Sequence, residues 1–299
     1  MMTFPPICDY EGSDYRQRFW EGQGREYEDL TERVALRRIL PKTGSTLIEI
    51  GAGFGRLAAE YQGYDKVVLF DYSRSLLRDA QARLGNDPRF IFVAGNWYDM
   101  PFVDGLFDTL VQIRSLHHSA EPAALFSQLA RISRPGGSYI LEFANKKNLK
   151  AILRYALRRQ SWSPFETEPV EFAPLHYDFH PDWVREQLAS AGFKTGRSLS
   201  VSYFRIPLLK RIVPMPLLVG LDSLAQRTAN LFQLSPSVFT YNRNQSSGEP
   251  AQPGQFFACP KCATPLSEGD GHSPLTCSGC GLSWKVDNGL YDFKEPVSA

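Results

Sequence analysis

The chain of 299 residues has almost no surplus charge: 33 lysines and arginines face 32 aspartates and glutamates, a formal net of +1. That absence excludes a global pull toward nucleic acid or anionic membrane and leaves such binding to local patches. Cysteine is scarce, five in all, which excludes a disulfide scaffold. No run approaches the roughly 18 to 20 apolar residues of a membrane span. The best stretch, 212–221, is short and broken by Pro214, Pro216 and Gly220. The opening, MMTFPPICDYEG, has no basic segment followed by an apolar one, so no secretory signal is predicted and the expected compartment is the cytoplasm. No internal repeat is present. What is there is ordinary globular composition, 43% hydrophobic and 22% charged, which excludes a disordered chain. The length fits about two domains of roughly 150 residues each.

Residues 1–24 are irregular, and 25–40 carry Tyr27, Leu30, Val34, Ile39 and Leu40 at helical spacing until Pro41 and Gly44 end the helix. Short apolar runs then recur at 46–50, 66–70, 90–94, 108–113 and 138–143, separated by helical stretches near 56–62, 73–84 and 122–132. Such alternation predicts an α/β chain, with a parallel sheet between layers of helices. Further on, the pattern predicts a basic helix at 146–159, a helix at 181–191, strands at 193–199 and 200–206, and a helix at 217–234. The polar segment 241–255 has the composition of a linker, and a compact cysteine-bearing tail follows.

The strand TLIEI runs directly into GAGFGR. Gly51, Gly53 and Gly55 allow a tight turn and bring main-chain N–H groups within reach of a ligand. Asp71 follows twenty positions after Gly51, at the end of the second strand, where an open sheet sets a carboxylate against ribose hydroxyls. A dinucleotide site calls for a third glycine at position 56, which is Arg56 here, so a nicotinamide oxidoreductase is the lesser reading. A tight turn with no ligand is the plain structural alternative.

With the spacing G-x-G-x-G preceded by Glu49, the sequence resembles the class I S-adenosylmethionine-dependent methyltransferases, in particular the type-11 methyltransferase family, well over 45–145 and loosely to 205. The resemblance implies a Rossmann-like, doubly wound, mostly parallel seven-stranded sheet. It also implies direct methyl transfer from S-adenosylmethionine, with S-adenosylhomocysteine as the product. Glu49, Gly51, Ala52, Gly53 and Gly55 would hold the amino-acid end of the cofactor, Asp71 the ribose, and Tyr72 the adenine face. AGNWYDMPF matches the segment after the third strand and assigns Asn96, with Trp97 beside it, to the adenine amine. Asn96 stands where the family usually has Asp, and its amide oxygen can still accept a hydrogen bond. DTLVQIRSLHHSAEP matches the fourth strand and its loop and places Arg114 to His118 near the methyl donor, and RISRPGGSYIL matches the fifth strand.

The donor carries an activated methyl group, so the protein has mainly to align an acceptor lone pair and exclude water. A base is needed only for a protonated acceptor, and His117, His118, His176, Tyr177 and His180 are the candidates, with His117, His118 and Tyr177 carried forward as catalytic. A packed histidine pair, and a simple helix start at His180-Pro181-Asp182, are the plain alternatives.

Cys259-x-x-Cys262, fourteen residues, then Cys277-x-x-Cys280 give two knuckles whose four thiolates suit structural zinc and leave no open coordination position. A tail this short needs a metal to fold. FFACPKCATPL and LTCSGCGLSWKVDNGLYDF are similar to the small zinc-binding activator subunit of tRNA, rRNA and release-factor methyltransferases. In those relatives the module supports a catalytic partner or contacts its macromolecular substrate, so a protein partner is one implied role and packing on its own enzyme domain another. Cys8 is left as a free thiol.

The expected organisation is an N-terminal segment and helix (1–44), a methyltransferase domain (45–240) with cap elements at 146–180 and 206–240, a linker (241–255) and a zinc ribbon (256–299). Lys146, Lys150, Arg154 and Arg158 fall on one face of the predicted basic helix and offer an anionic acceptor, RNA or a membrane surface a local patch. A solvated face is the commoner outcome, and the neutral charge favours a small-molecule acceptor. An RNA- or protein-directed enzyme, and an inactive cofactor-binding scaffold, are the alternatives.

Overall fold

The computed structural model describes residues 5–13, 23–267 and 271–297. Of the irregular opening, 1–4 and 14–22 lie outside the described residues. Helix α1 (Glu26–Ile39) precedes the alternation β1 (Gly44–Ile50), β2 (Tyr64–Asp71), α2 (Arg74–Leu84), β3 (Phe90–Ala94), β4 (Phe107–Gln112), α3 (Pro122–Ile132) and β5 (Ser133–Ala144). Then come α4 (Leu149–Ala156), the hairpin β6 (Val170–Ala173) and β7 (His176–Asp178), α5 (Pro181–Ser190), β8 (Phe193–Val201), α6 (Pro207–Ile212), α7 (Met215–Ala225) and β9 (Ser237–Asn244). The tail adds β10 (Leu275–Thr276), β11 (Ser283–Asp287) and β12 (Leu290–Val297).

Ten of these strands make one sheet in the order β10-β11-β12-β3-β2-β1-β4-β5-β9-β8. Strands β1 to β5 run parallel, while β9 lies antiparallel between β5 and β8. The seven strands expected of the fold are present, and the cysteine tail extends their sheet. Leu290, Tyr291 and Asp292 of β12 pair in parallel with Phe92, Val93 and Ala94 of β3. Alternation along β1 sends Ile48 and Ile50 into one core layer and Leu47 into the other. The first layer runs on into the tail, because Phe102 and Phe107 pack with Phe256, Phe257, Trp284 and Phe293. No helix among the described residues is long and apolar enough to cross a membrane.

Local chemistry explains where the elements depart from their predicted bounds. Ser202, at φ 66°, stops β8, so 200–206 is the end of one strand and a loop, not a second strand. Only eight residues separate Gly55 from β2, and they hold one 3-10 turn (Ala58–Glu60) where a helix was expected. Residues 241–244 were predicted to be linker, yet they complete β9. The Asn242 amide donates to the Tyr139 carbonyl (3.1 Å) and the Asn244 amide to the Ser133 carbonyl (2.9 Å), so these polar side chains are buried and satisfied. The basic stripe does not form. Asn148 caps α4 by accepting from the Ala151 N–H, Arg158 lies beyond the helix at φ 54°, and Lys146 is buried, donating to the carbonyls of Glu166 and Glu168. The predicted helix at 217–234 is α7 followed by a 3-10 turn (Gln226–Asn230).

Candidate active site

Strand β1 has β2 on one side and β4 on the other, and the crevice above their carboxyl ends is where open sheets bind ligands. The loops after β1 and β4 wall it. Gly51 has φ 71°, and a Cβ there would stand 2.4 Å from the Ser115 Cβ, so any side chain would force these loops apart. The N–H groups of Gly51 and Ala52 both donate to the Phe70 carbonyl (2.9 and 3.1 Å) and tie the turn to β2. Asp71 completes the frame. Its Oδ2 accepts from the Gly53 N–H (2.7 Å) and its Oδ1 from the Ser73 N–H (2.9 Å), while burial raises its carboxyl pKa. At Gly55 a Cβ would meet Leu84 and Leu69 at 3.0 and 3.1 Å, so this glycine serves the close approach of α2.

Gly51, Gly53, Asp71, Tyr72, Trp97, Arg114 and His118 line one pocket. The N-terminal segment adds Ile7, Cys8 and Tyr10, which no sequence signal marked. The indole Nε1 of Trp97 is buried there with no hydrogen-bond partner, a donor matched to an acceptor atom of a ligand. Other predicted residues stand elsewhere. Glu49 shares the pleat of Leu47 and is buried without lining the pocket; burial raises its carboxyl pKa to about 7, and its Oε2 has no hydrogen-bond partner. Ala52 is in the core, and Gly55 faces α2. Asn96 accepts from the Tyr98 N–H (2.8 Å) and lines a neighbouring groove with Tyr72, Phe293 and Lys294. Lys294, from β12, sits 3.8 Å above the Tyr72 ring, so the tail braces the pocket wall.

Tyr10, Arg114 and His118 also line a second cavity of about 320 Å³, together with His117, Glu142, His176, Asp178 and Arg205. The rings of His117 and His118 lie 3.9 Å apart, and those of His118 and His176 4.7 Å. His118 Nδ1 faces the Leu175 carbonyl (3.1 Å), which can only accept, so its Nε2 accepts from the Tyr10 hydroxyl (3.1 Å). Burial lowers the His118 pKa to about 4 and that of His117 well below the ordinary value, so both rings are neutral near pH 7. Tyr177 does not line the cavity. Alternation along β7 presents His176 and Asp178 to it. His180 is the N-cap of α5, ahead of Pro181.

Asp178 escaped sequence reasoning, although a carboxylate two positions from His176 in an alternating strand was the available signal. Burial raises its pKa from 3.8 to about 6. The folded state therefore binds this proton more tightly than the unfolded state, and the stability it contributes below pH 4 is lost as pH rises through 6. Asp178→Asn is expected to stabilise the protein by on the order of 2–3 kcal/mol at pH 8 and negligibly near pH 4. Urea unfolding at the two pH values measures this, and equal effects at both would show that Asp178 titrates normally.

The four tail sulfurs lie within 4.8 Å of one another, with Cys262 to Cys277 at 3.4 Å and Cys259 to Cys280 at 3.7 Å. A tetrahedral site with Zn–S bonds of ~2.3 Å needs sulfurs about 3.8 Å apart. The knuckles share one backbone path: Ala263 and Gly281, each just after the second cysteine, are left-handed and donate to the carbonyls of Cys259 and Cys277. The cluster can hold a metal ion.

The strand order and the crevice define a Rossmann-like fold of the methyltransferase type. Solved structures share it. A chain of the complex between the Haloferax volcanii Trm112 methyltransferase activator and a methyltransferase matches with TM-score 0.54 and 18% identity, over 78% of this chain and 98% of that one. A Listeria monocytogenes protein described as an S-adenosylmethionine-dependent methyltransferase matches with TM-score 0.52 and 16% identity, over 75% of this chain and all of that one. Residues 48–141 match the family described as "Methyltransferase domain". A demethylmenaquinone methyltransferase of Beutenbergia cavernae is 27% identical over 160 residues, 52% of this chain and 65% of that protein. The 27-O-demethylrifamycin SV methyltransferase of Amycolatopsis mediterranei is 28% identical over 138 residues, 44% of this chain and 51% of that protein. The chain thus spans between half and two thirds of the length of these curated relatives.

Proposed function

We propose that the protein transfers a methyl group from S-adenosylmethionine directly to a small-molecule acceptor, and that its cysteine cluster holds a structural zinc ion. The observation that carries this reading is the junction of two cavities. The pocket over the glycine turn and the larger cavity beside it share Tyr10, Arg114 and His118, so a donor and an acceptor would meet there. The bound cofactor supplies the activated methyl group. Gly51 and Gly53 leave room for its amino-acid end, Asp71 accepts from its ribose hydroxyls, Tyr72 and Trp97 flank its adenine, and Asn96 stands at the adenine edge. Each Asp71 oxygen already accepts one backbone N–H and has a lone pair left for a hydroxyl. In the second cavity, the Asp178 carboxylate can receive a proton from the acceptor directly, and His118 Nε2 can do so by way of the Tyr10 hydroxyl it accepts from. The relatives that act on a quinone and a rifamycin support a small acceptor.

Calorimetry with S-adenosylhomocysteine tests the donor half. One saturable site is expected, weakened at least tenfold in Asp71→Ala. Folded, zinc-replete protein that gives no heat would remove the enzymatic reading.

A further inference from the structure

The acceptor cavity contains a guanidinium with unmet hydrogen-bonding capacity. Arg205 follows β8 in a loop that is pinned on several sides. Asp222 accepts from the Ser202 and Tyr203 N–H groups (3.3 and 2.8 Å) and from the Tyr27 hydroxyl (2.7 Å), and that hydroxyl accepts from the Phe204 N–H (3.0 Å). Asp222 is itself fully buried. The pinned loop therefore brings Arg205 to the wall of the cavity. Its Nε and Nη2 are both shielded from solvent, and neither has a hydrogen-bond acceptor.

Glu32 and Glu142 are already engaged. Glu32 lies 4.0 Å from Arg205, beyond hydrogen-bond reach, and is taken by Arg56 (2.9 Å) and Arg114 (2.7 Å). Glu142 accepts from the Arg114 N–H and from the Ser237 hydroxyl. Asp178 also lines the cavity, and Arg25 and Arg114 add two further guanidiniums to the wall. Burial lowers the Arg205 pKa to about 10, with Arg114 adding to the effect, so the side chain stays charged near pH 7. The Arg205 side chain is 27% exposed, so an anion in the cavity meets the open part of the guanidinium, and a small turn of the side chain brings the shielded, empty donors onto paired oxygens.

Resting on the methyltransferase reading, we propose that the acceptor is a small anion whose carboxylate or phosphate group is held by Arg205, which positions it so that its nucleophilic atom faces the junction at Tyr10, Arg114 and His118. Arg205 is a positioning residue in this arrangement, and the cavity of about 320 Å³ has room for an aromatic acid. This sets the protein apart from an enzyme that grips its acceptor by apolar contact alone.

The test is binding of benzoate, phenyl phosphate and benzamide, by calorimetry or saturation-transfer NMR, with and without saturating S-adenosylhomocysteine. Benzoate or phenyl phosphate is expected to bind at least tenfold more tightly than benzamide, and whichever anion binds better tells which group the cavity prefers. Arg205→Met is expected to abolish that preference and Arg205→Lys to retain part of it, both with unchanged affinity for S-adenosylhomocysteine. Circular dichroism checks that both variants fold, and the comparison of anion with amide in wild-type protein stands without them. Equal binding of anion and amide, no anion binding, or full anion preference in Arg205→Met would overturn the proposal. Loss of S-adenosylhomocysteine binding alone would strike the donor reading and leave the anion measurements in the unloaded protein to be read separately.

Discussion

Replacing Cys259 and Cys277 by serine, or stripping the metal with a chelator, is expected to destabilise the whole protein and not only its tail. Apparent binding free energies of structural zinc sites are on the order of 10 kcal/mol, and they are folding free energies for the segment that makes the site. Here that segment is not a separate bead. Its strand β12 is hydrogen-bonded to β3, and Trp284 and Phe293 share a core with Phe102, Phe107 and Phe257. Two ion pairs, Arg74 with Asp292 and Arg78 with Asp287 (both 2.6 Å), fasten α2 to the same strands. With the ribbon unfolded, the β3 edge would be bare and the apolar face at Phe102 exposed, a recipe for aggregation. The expected fall in melting temperature is roughly 10 °C or more. Affinity for S-adenosylhomocysteine should fall with it, because Phe293 and Lys294 stand behind Tyr72 and Asn96. Scanning calorimetry before and after metal removal, with zinc added back, measures both. An unchanged transition with a selectively unfolded tail would show that the sheet tolerates the loss of its three outer strands.

Glu32→Ala is expected to have the next largest effect. Glu32 is fully buried in α1 and accepts from Arg56 and Arg114, with Arg205 at 4.0 Å. Burial alone would raise its pKa, but Arg114 and Arg56 more than offset this and hold it below the ordinary carboxylate value. Removing one member of a buried ion group leaves the others uncompensated, at a cost of about 3–5 kcal/mol. Arg114 is also held at φ 63° with its N–H on Glu142, so the loop that carries Ser115 and His118 should loosen as well. Urea unfolding of Glu32→Ala against Glu32→Gln separates charge from shape. A loss under 0.5 kcal/mol in both would mean that water takes over the role of the carboxylate.

Local pattern carried much of the fold. The helical stretches at 73–84 and 122–132 and the break at Pro41 placed α2, α3 and the end of α1 closely, and the structure gives the reason: Ser73 caps α2 and Pro122 opens α3, signals that act within a few residues. Where the sequence misled, polarity was the cause. Asn242 and Asn244 look like linker but sit buried in β9, because their amides are satisfied by carbonyls from distant strands. Lys146 looks like a surface charge but is buried with its ammonium donating to two carbonyls some twenty residues away. No local rule carries that information.

The sequence by itself determined the glycine turn, the acid at the end of β2, the histidine pair after β4 and the two cysteine knuckles. Each depends on spacing along a few residues, and backbone geometry translates such spacing directly into position. Tertiary structure alone decided that Glu49 is not among the pocket's lining residues, that Tyr10 and Arg205 enter the cavities, and that the ribbon completes the sheet at β3. These outcomes depend on pleat direction and on contacts between segments far apart in the chain, which pattern along the sequence does not encode.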